Sequence, residues 1–167
     1  MNKTDIESSL NFARRKFLEL LDAIAKTPSP AAVLGWRPGP GRAHIAWQFM
    51  HIGATDDRHL HVRMTGGEPQ EPELVRRFAG GSVPDDDTPS LEAIRSYLIG
   101  QREAMLTHLR SLSDDDLDRK PNDQAPWVYR EWFQVLTWHE GHHHGQAHLT
   151  FNLYRAAHDD GIAKVGH

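Results

Sequence analysis

The sequence contains no cysteine, so disulfide bonds, thiolate metal ligands and a cysteine nucleophile are all excluded. No apolar run reaches the roughly 18 residues that a membrane-spanning helix needs, and the first residues lack the apolar region of a secretory signal peptide. An excess of positive charge is also missing: the formal net charge is −4, whereas nucleic-acid binding requires a basic surface. We therefore expect a cytoplasmic protein that binds neither nucleic acid nor a membrane.

What the chain does contain is typical of a soluble globular protein, with one unusual feature. Of 167 residues, 38% are hydrophobic and 25% are charged, which predicts a single domain over residues 1–167 with a sizeable core. The unusual feature is the presence of twelve histidines, five of which lie between His139 and His148. Since neutral histidine is a common metal ligand, this composition indicates a metal-binding protein.

Apolar residues recur three or four positions apart in four long segments, which is the spacing of amphipathic helices. The predicted helices extend from the Thr4-x-x-Glu7 capping box to Thr27-Pro28, from about Arg42 to Met64, from Thr88-Pro89 to about Leu112, and from about Tyr129 to Arg155. They are separated by segments rich in glycine, proline or aspartate: Ala31–Gly41, Gly66–Thr88 and Pro121–Pro126. The second of these segments, a connector or a lid, is expected to contain a short helix near Glu73 to Phe78. Four such helices without strand alternation predict an all-α four-helix bundle.

The last predicted helix places histidines on the side that should face the core. Its positions three and four apart form a stripe that is apolar at both ends and polar in the middle: Trp132, Leu136, His139, His143, Gln146, Thr150 and Leu153. Two imidazoles one turn apart, those of His139 and His143, would then point into the interior. Burying unpaired imidazoles is unfavourable, and a bound metal ion would offset that penalty. We therefore predict that both histidines are metal ligands.

A two-histidine site needs a further protein ligand, and the second predicted helix offers one. His51 shares a helix side with apolar residues such as Trp47, which predicts an inward orientation. Three neutral nitrogens from His51, His139 and His143 suit Zn²⁺, Ni²⁺ or Fe²⁺ and leave a position for water or substrate. Such an ion lowers the pKa of a bound water, hydroxyl or thiol and so creates a nucleophile near neutral pH. Gln146, one turn beyond His143, is predicted to hydrogen-bond the bound water or a substrate.

Two other interpretations of these histidines stay open. His139-Glu140-x-x-His143 matches the H-E-x-x-H motif of zinc metalloproteases, with Glu140 as the candidate general base. The context of that motif is missing, because no glutamate follows Glu140 and because Gln146 and Leu149 stand where the extended motif has glycine and histidine. Alternatively, a metal only stabilises the bundle of a non-catalytic, dimeric binding module. Five other histidines of the second and fourth helices are expected to be solvated, and one of them, His142, could replace a ligand: His59, His61, His142, His144 and His148.

Three landmarks of the chain resemble the DinB-like superfamily, also known as the YfiT-like metal-dependent hydrolases. They are the segment Ile45–Ile52 after a Gly-Pro loop, the pair Leu117-Asp118, and the motif His139-x-x-x-His143-x-Gly145-Gln146. The resemblance covers nearly the whole chain and departs from the family at His144, where arginine is common. It implies an up-down-down-up four-helix bundle, often a homodimer, with Zn²⁺ or Ni²⁺ bound by His51, His139 and His143.

The resemblance also implies a chemistry. Family members with known reactions are thiol-dependent transferases and isomerases that use low-molecular-weight thiols such as bacillithiol or mycothiol, and many others are called hydrolases. The sequence together with this resemblance predicts a metal-dependent enzyme that activates a thiol or water for transfer to, or hydrolysis of, a small electrophilic substrate. Glu140 and Gln146 are the catalytic candidates beside the metal, and a non-catalytic metal-binding dimer is the alternative.

Overall fold

The structure, a computed structural model, describes residues 1–158, and these residues form helices and loops without any strand. The α-helices are α1 (Lys3–Ala25), α2 (Pro30–Gly35), α3 (Ile45–Asp57), α4 (Pro72–Arg77), α5 (Leu91–Ser111) and α6 (Tyr129–His158). A π-helix over Arg58–Met64 continues α3, and a short 3-10 helix covers Asp115–Asp118. Within residues 1–158, no helix combines the length and the apolar composition that crossing a membrane requires.

The four long helices pack into one bundle. Helix α1 lies against α5 and α6, and α3 lies against the same two helices from the other side. Close approach of α3 and α5 depends on Gly53, because a Cβ atom there would lie 2.6 Å from the ring of Tyr97. The predicted all-α bundle is therefore confirmed, while the up-down-down-up order of helix directions stays a prediction.

The interior contains two hydrophobic clusters rather than one continuous core. One surrounds Phe17, Phe49 and Phe151, and the rings of Phe17 and Phe49 are 4.4 Å apart between centroids. The other surrounds residues such as Met105 and Phe133, nearer the opposite end of the bundle. Both clusters are built from the apolar helix faces that three-and-four spacing predicts.

A buried charged layer separates the two hydrophobic clusters. It consists of Arg14 on α1, Asp56 on α3, Arg102 on α5 and Glu140 on α6, each at most 4% exposed. We call these four residues the arginine–carboxylate cluster. On α1, for example, Arg14 stands between Leu10 of one hydrophobic cluster and Phe17 of the other. The layer therefore joins all four long helices at one level of the bundle.

The starts of α1 and α5 differ from the predicted ones because other residues supply the caps. The backbone amide of Asp5 donates to the side-chain oxygen of Asn2 over 2.9 Å, and the backbone amide of Asn2 donates to the carboxylate of Asp5. The capping box therefore begins at Asn2 and not at Thr4. Helix α5 is capped by Ser90, whose hydroxyl accepts from the amide of Ala93 over 3.1 Å, and not by Thr88. The predicted loop of residues 31–41 is also partly wrong, because its first residues belong to α2.

Helix α3 begins three residues later than predicted because a histidine caps it. Nδ1 of His44 accepts from the amide of Trp47 over 3.0 Å, and Nε2 donates to the carbonyl of Asp85 over 3.0 Å. The predicted end at Met64 is right, although the last seven residues are π-helical. Since π-helical turns occur frequently at functional sites, the transition from α-helix to π-helix at Arg58 indicates a candidate functional region.

The long segment between α3 and α5 is held firmly against the bundle. Asp57 is fully buried, and its carboxylate accepts from the amides of Gln70 and Glu71 over 2.8 and 2.9 Å. Helix α4 follows at once and confirms the short helix predicted there. Phe78, just after α4, is 2% exposed and packs into the core, which brings its carbonyl next to α3.

Candidate metal centre

Three histidines from two helices converge between α3 and α6. One nitrogen from each of His51, His139 and His143 lies within 4.8 Å of the other two, and we call this group the three-histidine site. Nε2 of His51 and Nε2 of His139 are 3.2 Å apart. The structure thus brings together the three residues that the sequence indicated as ligands. Binding of a metal ion by them stays a prediction.

Hydrogen bonds to the far side of two rings fix their orientation. Nδ1 of His51 donates to the carbonyl of Phe78 over 2.7 Å, and Nδ1 of His143 donates to the side-chain oxygen of Gln48. Because both acceptors are oxygens without a proton, each Nδ1 must carry the proton and each Nε2 keeps a free lone pair. Trp47 stacks on His51 with 4.7 Å between ring centroids and so holds that ring in place. Such supporting contacts are typical of metal-binding histidines.

Burial keeps these imidazoles neutral. His51 and His143 are 7% and 8% exposed. Burial, reinforced by the neighbouring imidazoles, lowers the pKa of His139 to about 4 and that of His143 to about 3. Burial also lowers the pKa of His51, and the hydrogen bond to Phe78 offsets this only in part. All three rings are therefore neutral at pH 7, which is the form that binds a metal ion.

The donor set fits a first-row divalent cation. Nitrogen ligands of a tetrahedral zinc ion lie about 2.0–2.1 Å from the metal and therefore about 3.4 Å from each other. The observed separations, 3.2 Å for one pair and no more than 4.8 Å for any, are close to that spacing. Without a cation, the Nε2 lone pairs of His51 and His143 would have at most the single N–H of His139 to share as a donor within the site. The residues present thus fit a metal ion held by three imidazoles.

Glu140 belongs to the arginine–carboxylate cluster and is 1% exposed. One of its oxygens accepts from Arg14 and the other accepts from Arg102 over 2.6 Å. Asp56 completes the cluster at 3.0 and 3.2 Å from the same two guanidinium groups. A general base must reach the proton that it abstracts. The catalytic role of Glu140 stays a prediction, but these contacts do not favour it.

Gln146 lies at the edge of the site without reaching its centre. Its amide nitrogen is 2.6 Å from Nε2 of His142, and both side chains are exposed. His142 also stacks on the exposed Trp138, with ring centroids 5.4 Å apart, and is not part of the three-histidine site. The predicted contact of Gln146 with substrate stays a prediction, and its place beside an open cavity is compatible with it.

Two cavities reach the three-histidine site from different sides. The small cavity, of about 250 Å³, is lined by His51 and His139 together with residues of the π-helix and of the segment after α4. The large cavity, of about 920 Å³, is lined by His51, His143 and Gln146 together with the loop before α3. A ligand in either cavity would therefore contact two of the three imidazoles.

Several histidines that were expected to be solvated are partly buried, so those predictions are wrong. His59 packs edge-on against Trp132 with 4.9 Å between centroids, because the π-helix turns it towards α6. Nδ1 of His61 is 2.9 Å from the Asp57 carboxylate. His144 faces Phe17 on α1 with 6.2 Å between centroids, because the side of α6 away from α3 is also covered.

Sequence reasoning missed the partners that hold the site. Gln48 stands one turn before His51 and could have been recognised as a polar residue on a buried helix face. Arg14 and Arg102 interrupt the apolar stripes of α1 and α5, which is the pattern of buried ion pairs. The contact between the carbonyl of Phe78 and His51 could not be predicted from the sequence. It depends on how the segment after α4 folds back against α3.

A bundle of four long helices, two of which bring together two buried histidines and one half-buried histidine, defines a candidate metal-binding helical-bundle protein. The family model described as the DinB superfamily matches residues 9–147, and the chain therefore belongs to the DinB superfamily. None of the curated proteins matches the sequence. A solved structure with a similar fold is the conserved protein of locus from Enterococcus faecalis, with a TM-score of 0.66, 18% identity, and coverage of 92% of this chain and 97% of that one.

Proposed function

We propose that the protein is a metal-dependent enzyme that activates a thiol or water for attack on a small electrophilic substrate. The observation that carries the proposal is the three-histidine site itself: neutral, oriented imidazoles meet where two cavities open. Membership of the DinB superfamily supports metal binding. Zn²⁺ and Ni²⁺ suit three nitrogen ligands best, and Fe²⁺ is also compatible with them.

The chain's own residues have distinct tasks in this proposal. His51, His139 and His143 would hold the cation, and three protein ligands leave room for a further ligand. Gln48 and the carbonyl of Phe78 keep two of the rings oriented. When bound, the cation would lower the pKa of a thiol or water that reaches it. Gln146, at the wall of the large cavity, would position that ligand by a hydrogen bond.

A non-catalytic, dimeric metal-binding module is the second candidate. Large apolar side chains exposed on α6 favour an interface, since Trp138 is 65% exposed and Leu149, at the wall of the large cavity, is 61% exposed. The two candidates differ in turnover. An enzyme consumes thiol or hydrolyses a substrate when loaded with metal, whereas a module binds metal without turnover. A monomer at micromolar concentration in sedimentation experiments would contradict the homodimer.

The proposal is tested by metal content and thiol consumption in the same preparations. We expect mass spectrometry to find about one equivalent of Zn²⁺ or Ni²⁺ in the wild type and little in His143→Ala. His142→Ala is the matched control, because it removes the adjacent, exposed histidine and should leave the metal in place. Metal-loaded wild type should then consume a low-molecular-weight thiol in the presence of an electrophilic test compound. A rate no higher than that of His51→Ala would exclude thiol transfer, and water as the nucleophile would be tested next with ester substrates.

A further inference from the structure

We propose that the small cavity is a subsite for a short-chain carboxylic acid, with Arg58 as the residue that binds its carboxylate. The inference rests on the proposed function in one respect only: it takes the electrophilic end of that acid to lie at the three-histidine site. It adds the chemical class of the small substrate, and it assigns that substrate and the activated nucleophile to different cavities.

The two cavities are separated by the site that they share. His51 lines both, but His139 lines only the small cavity and His143 only the large one. Two ligands can therefore approach the three imidazoles at once without competing for space. The volumes differ almost fourfold, about 250 against about 920 Å³. The small cavity lies just below the range of about 300–1,000 Å³ that is typical of pockets for drug-sized ligands, so it suits a smaller ligand such as a short-chain acid.

The lining of the small cavity combines a cation with apolar surface. Arg58, the first residue of the π-helix, and Thr55, at the end of α3, provide polar donors beside the ring of His59. Val75, Phe78 and Ala79 contribute apolar surface. A short chain with an anionic group at one end matches this lining, because its carbons would contact the apolar side chains while the carboxylate meets the guanidinium.

Arg58 is free to bind a ligand, unlike most arginines of the protein. No carboxylate among residues 1–158 forms an ion pair with it, whereas Arg37, Arg77 and Arg130 each pair with an aspartate. The hydroxyl of Thr55 likewise has no hydrogen-bond partner within the described part of the chain. Two unpaired donors that line one cavity beside three imidazoles, those of His51, His59 and His139, favour an anionic ligand. Guanidinium matches the two oxygens of a carboxylate.

Arg63 offers a matched control for the charge of Arg58. It belongs to the same π-helix and is also exposed and without an ion pair among residues 1–158. It lines neither cavity of the three-histidine site, since it faces the loop around Asn122. Replacing either arginine by methionine removes one positive charge from the same helix, so only a contact inside the small cavity distinguishes the two variants.

The test measures binding of butyrate and of butyramide, its uncharged analogue, to the metal-loaded protein by calorimetry. We expect the wild type to prefer butyrate and Arg58→Met to lose about tenfold or more of its butyrate affinity, as for a charge-assisted hydrogen bond. Butyramide binding should change little, and Arg63→Met should behave like the wild type. Ala79→Leu, which fills the small cavity, should abolish butyrate binding although Arg58 is intact.

Equal butyrate affinity in Arg58→Met and Arg63→Met, or butyrate binding that survives Ala79→Leu, would overturn the subsite. Failure of the subsite can be separated from failure of the proposed function. If butyrate binding depends on Arg58 while no thiol is consumed, the subsite stands and the proposed activity fails. If thiol consumption depends on metal while butyrate binding ignores Arg58, the activity stands and the carboxylate subsite fails.

Discussion

At the scale of single residues, the hydrogen bond from Gln48 to His143 is the most direct control over the site. The amide oxygen fixes which nitrogen of His143 carries the proton. Replacing Gln48 by leucine keeps the volume but leaves Nδ1–H without an acceptor in a buried position. We predict that Gln48→Leu weakens metal binding by about 10–100-fold, the usual effect of losing such a contact.

Competition with a chromophoric chelator measures this loss. Gln134→Leu is the control, because Gln134 lies exposed on α6, away from the site, and undergoes the same chemical change. The fold should be preserved in both variants, as judged by circular dichroism. Equal metal affinity in the two variants would mean that Gln48 does not orient His143.

Glu140 shows that a short motif does not by itself define the surroundings of each of its residues. It follows His139 directly, but neighbouring positions on a helix differ by about 100° in direction, so its side chain faces α1 and α5 while His139 faces α3. The H-E-x-x-H pattern records spacing along one helix and contains no information about which neighbour each side contacts. By contrast, the spacing of His139 and His143 was sufficient to predict that their rings lie side by side, because positions four apart share one side of a helix.

We predict that Glu140→Gln lowers the free energy of unfolding by about 3–5 kcal/mol, the usual effect of breaking a buried ion pair. The physical reason is that two buried guanidinium groups would then share only the carboxylate of Asp56. Urea denaturation measures the change. Glu103→Gln is the matched control, because Glu103 pairs with Arg110 at the surface and such pairs contribute at most about 1 kcal/mol.

The metalloprotease interpretation predicts the reverse for the same variant. A lost general base would abolish turnover and leave stability nearly unchanged. We instead expect folded, metal-loaded Glu140→Gln to retain the metal content of the wild type and most of its rate.

At the scale of helices, periodicity identified the long elements, and its errors lie mainly at the starts of α1, α3 and α5. The apolar residues spaced three and four apart are the ones that pack into the core, and this packing determines where a helix lies. The first and last turns depend on local caps, and several residues can supply them. Asn2 and Ser90 are common capping residues that compete with Thr4 and Thr88 nearby. His44 is a rare cap, so its role could not be read from the sequence.

The His44 cap makes the stability of α3 depend on pH. Burial lowers the pKa of His44 below its usual 6.5, although the carbonyl of Asp85 opposes this, with Arg37, Asp85 and Asp86 as the charged groups that face it. As the pH falls through 6.5, the unfolded chain takes up a proton that the folded protein refuses. The stabilisation is thus complete above pH 6.5 and is lost below it, by up to about 1.4 kcal/mol per pH unit.

We predict that His44→Asn reduces this acid sensitivity. Asparagine is a good N-cap and does not titrate in this range. The free energy of unfolding of the variant should therefore be closer to that of the wild type at pH 5.5 than at pH 8. His44→Ala should show the same weaker pH dependence but lower stability at every pH. Both variants lose the contact with Asp85, and their difference therefore isolates the cap. Urea midpoints between pH 5.5 and 8 give the comparison, and an unchanged slope in His44→Asn would contradict it.

At the scale of the whole molecule, the bundle does not depend on the metal for its core. The two hydrophobic clusters and the arginine–carboxylate cluster connect all four long helices without using the three-histidine site. A protein of this size can bury enough apolar surface to fold by itself. The sequence could predict this core from its apolar stripes, whereas the charged layer across it required knowing which helices are neighbours.

We therefore predict that the protein stays folded when a chelator removes the metal, and that adding Zn²⁺ or Ni²⁺ raises its melting temperature. A cation at 100 times its dissociation constant adds about 2.7 kcal/mol to the free energy of unfolding, because it binds only the folded state. His143→Ala should show no such rise, and His142→Ala should rise like the wild type. Unfolding of the metal-free wild type, as in small zinc domains, would instead indicate a structural metal. That result would favour the non-catalytic module, because a site that must be filled for folding need not keep a position open for substrate.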